Sequence, residues 1–313
     1  MRVAVLDDIH HVWDDAPAVQ RLRERAEVQV FTTAFGDASA LRGYDALIAN
    51  RERTRFTRAL LEQLTDVRII AQTGNHANHI DFAAAHERGI VVARASTGYS
   101  IGAAELAIGL AIAVMRRILP LDAALRRGEW VAPSTPVLSG KTLGIIGLGG
   151  VGRHVARIAR AFGMRVIAWS PRLTDAAAAD AGTERHELDD LLRESDVVSI
   201  HASLTPDSRG LVDARRLALM KRTAVLINTA RGPIVEEAAL VAALEEERIA
   251  GAGLDVFDRE PLSAGHALTR FLTVVLTPHI GWPTDDGYHR FAEAACDVLV
   301  AYLDGRDVPT FEH

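Results

Sequence analysis

Short apolar segments alternate with helical patterns along almost the whole chain of 313 residues. In the first part, the segments 17–25 and 80–88 have the composition and spacing of helices. The strand candidates between them are RVAVLD (2–7), EVQVF (27–31), ALIAN (46–50), RIIAQ (68–72) and IVVA (90–93). Strands that alternate with helices in this way predict a parallel sheet with helical crossover connections.

The same alternation restarts in the second half, after a long apolar helix predicted for 100–118 and an irregular connector, GEWVAPSTPVLSG. The strand candidates there are TLGIIG (142–147), RVIAW (165–169), DVVSI (196–200), AVLIN (224–228), GLDVF (253–257) and TVVLT (273–277). A last helix, 288–303, follows them, and we expect it to return to the first domain. The chain therefore predicts an α/β protein with two doubly wound parallel-sheet domains of the Rossmann or flavodoxin type.

Composition excludes several classes of function. The net charge is −6 and no block of Lys and Arg stands out, so the chain predicts no nucleic-acid partner. One cysteine, Cys296, forms no internal disulfide, and no metal-type cysteine spacing is present. The longest apolar stretch, 103–115, contains Glu105 and is too short to span a bilayer. Because the N-terminus also lacks a signal-peptide pattern, we expect a cytoplasmic protein without membrane or metal partners.

The strongest local motif is GLGGVG at 147–152, which follows a predicted strand and opens a predicted helix. The spaced glycines Gly147, Gly149 and Gly152 fit the dinucleotide-binding fingerprint. They allow a tight turn, a close approach of the pyrophosphate and close packing of helix on strand. The helix N-terminus then offers N–H groups to the phosphates. A glycine-rich turn without a ligand is the structural alternative, but the required strand and helix are both present.

The end of the next strand bears on the choice of cofactor. An acid at this position binds the adenosine ribose hydroxyls in many NAD enzymes, whereas this chain has Ser170-Pro171-Arg172. No carboxylate would repel a 2′-phosphate, and Arg172 could pair with one. The sequence therefore favours NADP slightly over NAD, with a solvated Arg172 and bound NAD as the alternative.

Chemically versatile side chains follow the other strands of the second half. Because ligands bind outside the carboxyl ends of parallel strands, we expect these groups to gather at one edge. Arg231 suits a substrate carboxylate, which its planar fork binds with two hydrogen bonds. His279 suits proton transfer to a developing alkoxide, and Glu260 suits orienting the imidazole. This trio predicts hydride transfer between a nicotinamide cofactor and a small 2-oxo or 2-hydroxy acid.

Each residue also has a structural interpretation. His279 could be satisfied by backbone at a strand end, Arg231 could pair with a nearby glutamate, and Glu260 could be a surface turn residue. Their joint placement behind a nucleotide loop favours the catalytic interpretation. His201, which follows the strand DVVSI, is the second choice for the base.

Several segments together resemble the D-isomer-specific 2-hydroxyacid dehydrogenases. They are KTLGIIGLGGVG, HASLTPDSRGLV, LINTARGPIVEEAAL, GAGLDVFDREPL and TPHIG, and the resemblance extends from about Gln72 to about Gly281. It implies a split catalytic, or substrate, domain (1–99 plus 283–313) into which a nucleotide-binding domain (100–282) is inserted. It also implies a homodimer built by the long helix and the arm through Trp130.

The resemblance implies the same catalytic trio: Arg231 on the substrate carboxylate, His279 as acid and base, and Glu260 behind it. It adds Asp255 near the nicotinamide carboxamide. The full set of expected cofactor contacts is Gly147, Gly149, Gly150, Val151, Gly152, Ser170, Arg172, His201, Thr205, Thr229, Arg231, Asp255 and His279.

Departures from the family pattern concern the substrate. Asn75 and His76 stand in a loop that is usually glycine-rich, and Trp282 follows the His279 motif where smaller residues are common. We expect these three, with Arg231, to contact the substrate, although Asn75 and His76 could only shape the loop and Trp282 could pack in a domain interface. The expected substrate is a small 2-oxo acid such as glyoxylate or hydroxypyruvate, and phosphorylated hydroxy acids and bulkier keto acids stay open. Two alternative functions stay open. One is a formate- or phosphite-type dehydrogenase; Glu260 disfavours formate, because formate oxidation transfers only hydride and needs no acid beside the histidine. The other is a nucleotide-sensing scaffold of the corepressor type.

Overall fold

The computed structural model describes residues 1–74, 77–98 and 100–311. The chain divides into two compact units. The split unit is Met1–Tyr99 together with Pro283–His313, and the continuous unit is Ser100–Trp282.

The described helices and strands follow one another in a regular order. The first elements are β1 (Arg2–Val5), α1 (Pro17–Arg23), β2 (Glu27–Val30), β3 (Ala46–Ala49), α2 (Arg58–Leu61), β4 (Ile69–Thr73), α3 (Phe82–Glu87) and β5 (Val91–Ala95). Next come α4 (Ile101–Met115), α5 (Ile118–Arg126), β6 (Thr142–Ile146), α6 (Gly150–Ala161), β7 (Arg165–Trp169), α7 (Asp175–Asp180), β8 (Glu184–Arg185), α8 (Leu188–Glu194) and β9 (Val197–Ile200). The last are α9 (Ala214–Leu217), β10 (Val225–Asn228), α10 (Glu237–Glu245), β11 (Gly251–Leu254), β12 (Val274–Leu276) and α11 (Asp285–Leu303).

The split unit has one five-stranded sheet in the order β2-β1-β3-β4-β5, and its strand pairings are parallel. The central strands β3 and β4 are buried along their whole length, as strands covered on both faces are. The final helix, α11, packs against α1 and against strands β4 and β5 of this sheet. This is the doubly wound arrangement with the flavodoxin strand order.

The continuous unit has a seven-stranded parallel sheet in the order β12-β11-β10-β9-β6-β7-β8. Neighbouring residues on β6 point to opposite faces. Ile145 packs into a core that includes residues of α4 and α6, and Ile146 packs into a core that includes residues of α8 and α10. Helices therefore cover both faces of the sheet, and the predicted fold class is confirmed.

One predicted strand of this sheet is displaced. The sequence segment GLDVF predicts a strand over 253–257, but β11 covers Gly251–Leu254. A Cβ atom on Gly253 would lie 2.8 Å from Cβ of Leu110, so the small residues of this strand admit α4 at close range. Asp255 consequently stands just beyond the strand, at the carboxyl edge of the sheet. Helix α5 and the short β8 were also missing from the predicted elements.

Candidate active site

The turn between β6 and α6 has the geometry of a phosphate-binding loop. Gly147 has φ +100°, a conformation that side chains disfavour, and a Cβ atom there would lie 2.5 Å from the backbone N of Ala202. Gly149 precedes the first turn of α6, to which Gly150, Val151 and Gly152 belong. The unpaired N–H groups of this twelve-residue helix therefore open directly onto the loop.

Two observations test whether a dinucleotide fits this cradle. A Cβ atom on Gly149 would meet nothing within 4 Å, so the chain leaves space beside the helix N-terminus. Thr229, just beyond β10, has a buried hydroxyl without a hydrogen-bond partner among the described residues. A dinucleotide has phosphate groups that would fill the space beside Gly149 and polar groups that would pair with the Thr229 hydroxyl. The residues present therefore fit a dinucleotide.

The residues after β7 stand where many NAD enzymes have an acid that binds the adenosine ribose. The Ser170 hydroxyl accepts a hydrogen bond of 2.8 Å from the backbone N–H of Leu148, so this side chain supports the glycine loop itself. Arg172 is exposed and makes no hydrogen bond or ion pair with the described residues. The nearby Asp175 lies 3.9 Å from Arg185. Among the described residues, the Arg172 cation therefore has no acidic partner, and it follows the strand whose end usually carries the ribose-binding acid.

His201 lies beyond β9, and the structure weakens it as a candidate base. Burial lowers the pKa of its imidazole to about 3, and its Nε2 is 2.8 Å from the Ser199 hydroxyl. A side chain that is neutral throughout the working range, with that nitrogen already engaged, is poorly suited to proton transfer. Its backbone N–H donates to Ile146 and adjoins the glycine loop. Thr205 lies in an exposed turn, in which its backbone N–H donates to Ser208.

His279 and Glu260 form a hydrogen-bonded pair at the same edge of the sheet. The imidazole Nδ1 lies 2.7 Å from Oε2 of Glu260, and about a third of each side chain is exposed, 33% and 35%. The other carboxylate oxygen accepts a 3.0 Å hydrogen bond from the backbone N–H of Phe257. No described residue hydrogen-bonds to Nε2 of His279, so this nitrogen is available to a substrate.

The environment keeps Glu260 ionised. Partial burial raises its pKa, but the hydrogen bonds from His279 and Phe257 and the positive charges of His279 and Arg231 outweigh burial. The pKa of Glu260 is therefore lowered below its usual value of 4.5. An ionised carboxylate on Nδ1 fixes the ring orientation.

Arg231 is held by the loop that follows β10. The Asn228 amide accepts from the backbone N–H of Ala230 and donates to the carbonyl of Arg231, each at 3.0 Å. A Cβ atom on Gly232 would lie only 2.0 Å from the carbonyl carbon of Phe257, so this loop packs directly on the segment that carries Glu260. The structure thus brings Arg231, Glu260 and His279 to adjoining loops.

Asp255 is 1% exposed and follows β11 directly. One carboxylate oxygen accepts from the Thr277 hydroxyl at 2.6 Å and from the backbone N–H of Ile280 at 2.8 Å. The other accepts from the backbone N–H of Gly281 at 2.9 Å. Burial raises the pKa of Asp255, although these hydrogen bonds and the charge of His279 act in the opposite direction.

The predicted substrate contacts are less completely placed. Asn75 and His76 lie outside the described residues. Trp282 is partly buried at the end of the continuous unit. Sequence reasoning missed Asn228, which positions Arg231, and Thr277, which contacts Asp255. Both could have been found as polar residues at the ends of buried strands.

Comparison with known proteins identifies the family. Residues 108–281 match the model of the D-isomer specific 2-hydroxyacid dehydrogenase NAD binding domain. The chain is also 42% identical to a glyoxylate reductase of Aeropyrum pernix over 80% of this chain and 77% of that protein. The chain belongs to the D-isomer specific 2-hydroxyacid dehydrogenase family.

Other members of the family cover more of the chain. A D-3-phosphoglycerate dehydrogenase of Methanocaldococcus jannaschii is 35% identical over 96% of this chain, which spans 56% of that relative. The crystal structure of a phosphoglycerate oxidoreductase from Vibrio cholerae O395 superposes with a TM-score of 0.84 at 30% identity, covering 97% of this chain and 99% of that one.

Membership of the D-isomer specific 2-hydroxyacid dehydrogenases makes the chain an NAD(P)-dependent oxidoreductase that transfers hydride between the cofactor and a 2-oxo or 2-hydroxy acid. The enzyme interpretation is thereby favoured over the scaffold and over formate- or phosphite-type oxidation. Across the described residues, no helix is long and apolar enough to cross a membrane.

Proposed function

We propose that this enzyme reduces a small 2-oxo acid of the glyoxylate or hydroxypyruvate kind to the corresponding 2-hydroxy acid, which has the D configuration wherever the product is chiral. Support comes from the glyoxylate reductase of Aeropyrum pernix, to which the chain is similar over 80% of its length. The observation that carries the proposal is the 2.7 Å pair of His279 and Glu260 on a loop adjoining that of Arg231. A substrate with a carboxylate beside its reacting carbonyl suits this combination of cation and acid.

Each member of the trio has a distinct task in the proposed mechanism. Arg231 binds the substrate carboxylate through its planar guanidinium and orients the adjacent carbonyl. A nicotinamide cofactor held by the glycine loop at 147–152 would supply the hydride. His279 donates the Nε2 proton to the carbonyl oxygen as negative charge develops there, and Glu260 stabilises the charged ring. In the oxidation direction, neutral His279 accepts the hydroxyl proton at the same nitrogen.

We also propose that Ser100–Trp282 is the nucleotide-binding domain and that the split unit is the substrate domain. Within the nucleotide site, NADP is slightly favoured over NAD. Arg172, which makes no ion pair with the described residues, supports this preference, as does Ser170, whose hydroxyl accepts a hydrogen bond from the glycine loop in place of a ribose-binding acid. A guanidinium binds a 2′-phosphate with two charge-assisted hydrogen bonds, which a bare ribose hydroxyl cannot match.

Exposed apolar side chains support the proposed homodimer. Trp130 is 87% exposed in the segment after α5. Others in the same region are Ile118, Leu119, Leu125, Val131 and Val137, each 46–56% exposed. Large exposed apolar surfaces on a folded chain are typical of protein interfaces.

The experiment that tests the function is a screen of 2-oxo acids with NADPH and with NADH, followed by absorbance at the reduced nicotinamide band. We expect turnover with small 2-oxo acids and, with hydroxypyruvate, a D-configured product by chiral chromatography. Tight cofactor binding without turnover on any 2-oxo acid would instead favour a nucleotide-sensing scaffold.

A further inference from the structure

The backbone at His279 adopts a conformation that a histidine rarely takes. Its φ is +55°, in the left-handed region, where residues other than glycine are disfavoured. Such a conformation persists only when the surroundings hold it in place. The turn from Thr277 to Gly281 therefore needs a structural element that fixes it.

Asp255 holds this turn through hydrogen bonds from its side chain and its backbone. Its carboxylate accepts the backbone N–H groups of Ile280 and Gly281, the two residues after His279. Successive N–H groups around a left-handed residue form a concave anion-binding turn, and here the anion is the chain's own carboxylate. The backbone carbonyl of Asp255 accepts from His279 itself at 2.9 Å, so contacts from Asp255 surround the turn.

Thr277 completes the arrangement from the other end of the turn. Its hydroxyl donates to Asp255 at 2.6 Å, and its carbonyl accepts from the N–H of His279 at 3.0 Å. These contacts use three of the roughly four acceptor positions of the carboxylate. Most of the hydrogen-bond acceptor positions of the Asp255 carboxylate thus bind the turn that carries His279.

From this geometry we infer that Asp255 is a positioning residue for proton transfer, which holds the left-handed His279 turn so that the imidazole keeps its productive orientation. The inference rests on the proposed role of His279. It differs from the contact with the nicotinamide carboxamide that the family resemblance implies, because its effect reaches the reaction through His279. Glu260 then fixes the ring, and Asp255 fixes the backbone beneath it.

The test compares two pairs of enzymes by kcat, KM and the directly measured Kd for NADPH: the parent with Asp255→Asn, and Thr277→Val with Thr277→Ser. Asp255→Asn keeps the size of the side chain but turns one acceptor into a donor that faces an N–H group. We expect kcat to fall by about 10²-fold, the loss that a misplaced catalytic group causes, and to fall by a larger factor than the affinity for NADPH. A loss confined to cofactor affinity, or an unchanged kcat, would overturn the inference.

The second pair acts at Thr277, so the test stands even if Asp255→Asn fails to fold. Thr277→Val removes only the hydroxyl donor, and we expect kcat to fall about tenfold. Thr277→Ser restores the donor and should restore kcat. The proposed role of Asp255 is contradicted if Thr277→Val has the kcat of the parent enzyme, or if the kcat of Thr277→Ser is no higher than that of Thr277→Val.

Two further variants separate the possible failures. Asp196→Asn alters a mostly buried carboxylate before β9, which accepts from the backbone of Thr142 and from Lys221. This variant should lose stability and keep kcat. His279→Ala is measured alongside. If it retains turnover, the proposed role of His279 fails. If His279→Ala is inactive and Asp255→Asn is fully active, only the positioning role of Asp255 is refuted.

Discussion

Replacing Glu260 by Gln removes one charge from the proposed catalytic pair of His279 and Glu260 and changes the side-chain volume very little. The parent carboxylate accepts two hydrogen bonds, from His279 at 2.7 Å and from the backbone of Phe257 at 3.0 Å. A glutamine has one acceptor oxygen, so whichever donor it satisfies, its own NH₂ group faces the other. The imidazolium therefore loses its ionic partner, and one donor at the site loses its acceptor.

The size of the effect follows from these contacts. A hydrogen bond to a charged group contributes about 1.5–3 kcal/mol, and the lower end applies because a third of each side chain is exposed to solvent. That loss alone lowers the rate about tenfold, and the unsatisfied donor extends the expected range to about 100-fold.

The assay is steady-state reduction of the best 2-oxo acid at saturating cofactor. Glu194→Gln provides a matched control, because Glu194 lies 3.4 Å from Nδ1 of His186 near the far edge of the same sheet. We expect kcat to fall for Glu260→Gln and to stay unchanged for Glu194→Gln. Equal kcat values for the parent enzyme and Glu260→Gln would refute the reasoning.

The lowered pKa of Glu260 gives the same variant a signature in stability. The folded state holds Glu260 below its usual pKa of 4.5, so ionised Glu260 stabilises the fold above that pH. This contribution is lost as the pH falls through the lowered folded value. In thermal melts at neutral pH, the Tm of the parent enzyme should be higher than that of Glu260→Gln. The difference in Tm should disappear on acidification. A difference that grows on acidification has the wrong sign for this account.

Three other predictions test separate parts of the site. Arg231→Lys should raise the KM for the 2-oxo acid and lower kcat together, because a lysine cannot bind the carboxylate with a planar fork; unchanged kinetics would remove Arg231 from the mechanism. Arg172→Ala should weaken NADPH binding selectively over NADH in titrations, whereas Arg222→Ala should not; equal losses for both cofactors would defeat the NADP preference. Trp130→Glu should shift the enzyme from dimer to monomer in analytical ultracentrifugation, and an unchanged dimer would exclude this surface.

The fold was largely readable from the sequence because parallel strands covered on both faces give continuous apolar runs. RVIAW, for example, matches β7 residue for residue. The failures have a physical cause. The strand β11 begins with Gly-Ala-Gly, which has weak strand propensity and forms here because it packs closely under α4. Tertiary packing of this kind leaves no local pattern.

The candidate site was predictable to the level of residue identity but not of geometry. The strand-end rule predicted that Arg231, Glu260 and His279 would meet, since each follows a strand of one parallel sheet. It gave no indication of the left-handed backbone at His279 or of the bonds from Asp255, which depend on positions in space. Nor did it show that burial would leave His201 neutral, because that depends on what packs around the ring.

The most direct test of the catalytic account is the rate of hydride transfer in His279→Ala, measured in a single turnover with NADPH bound. The account predicts a loss of about 10²–10⁴-fold, the usual contribution of a general acid, while the variant still binds the cofactor. Hydride transfer at the rate of the parent enzyme would contradict it.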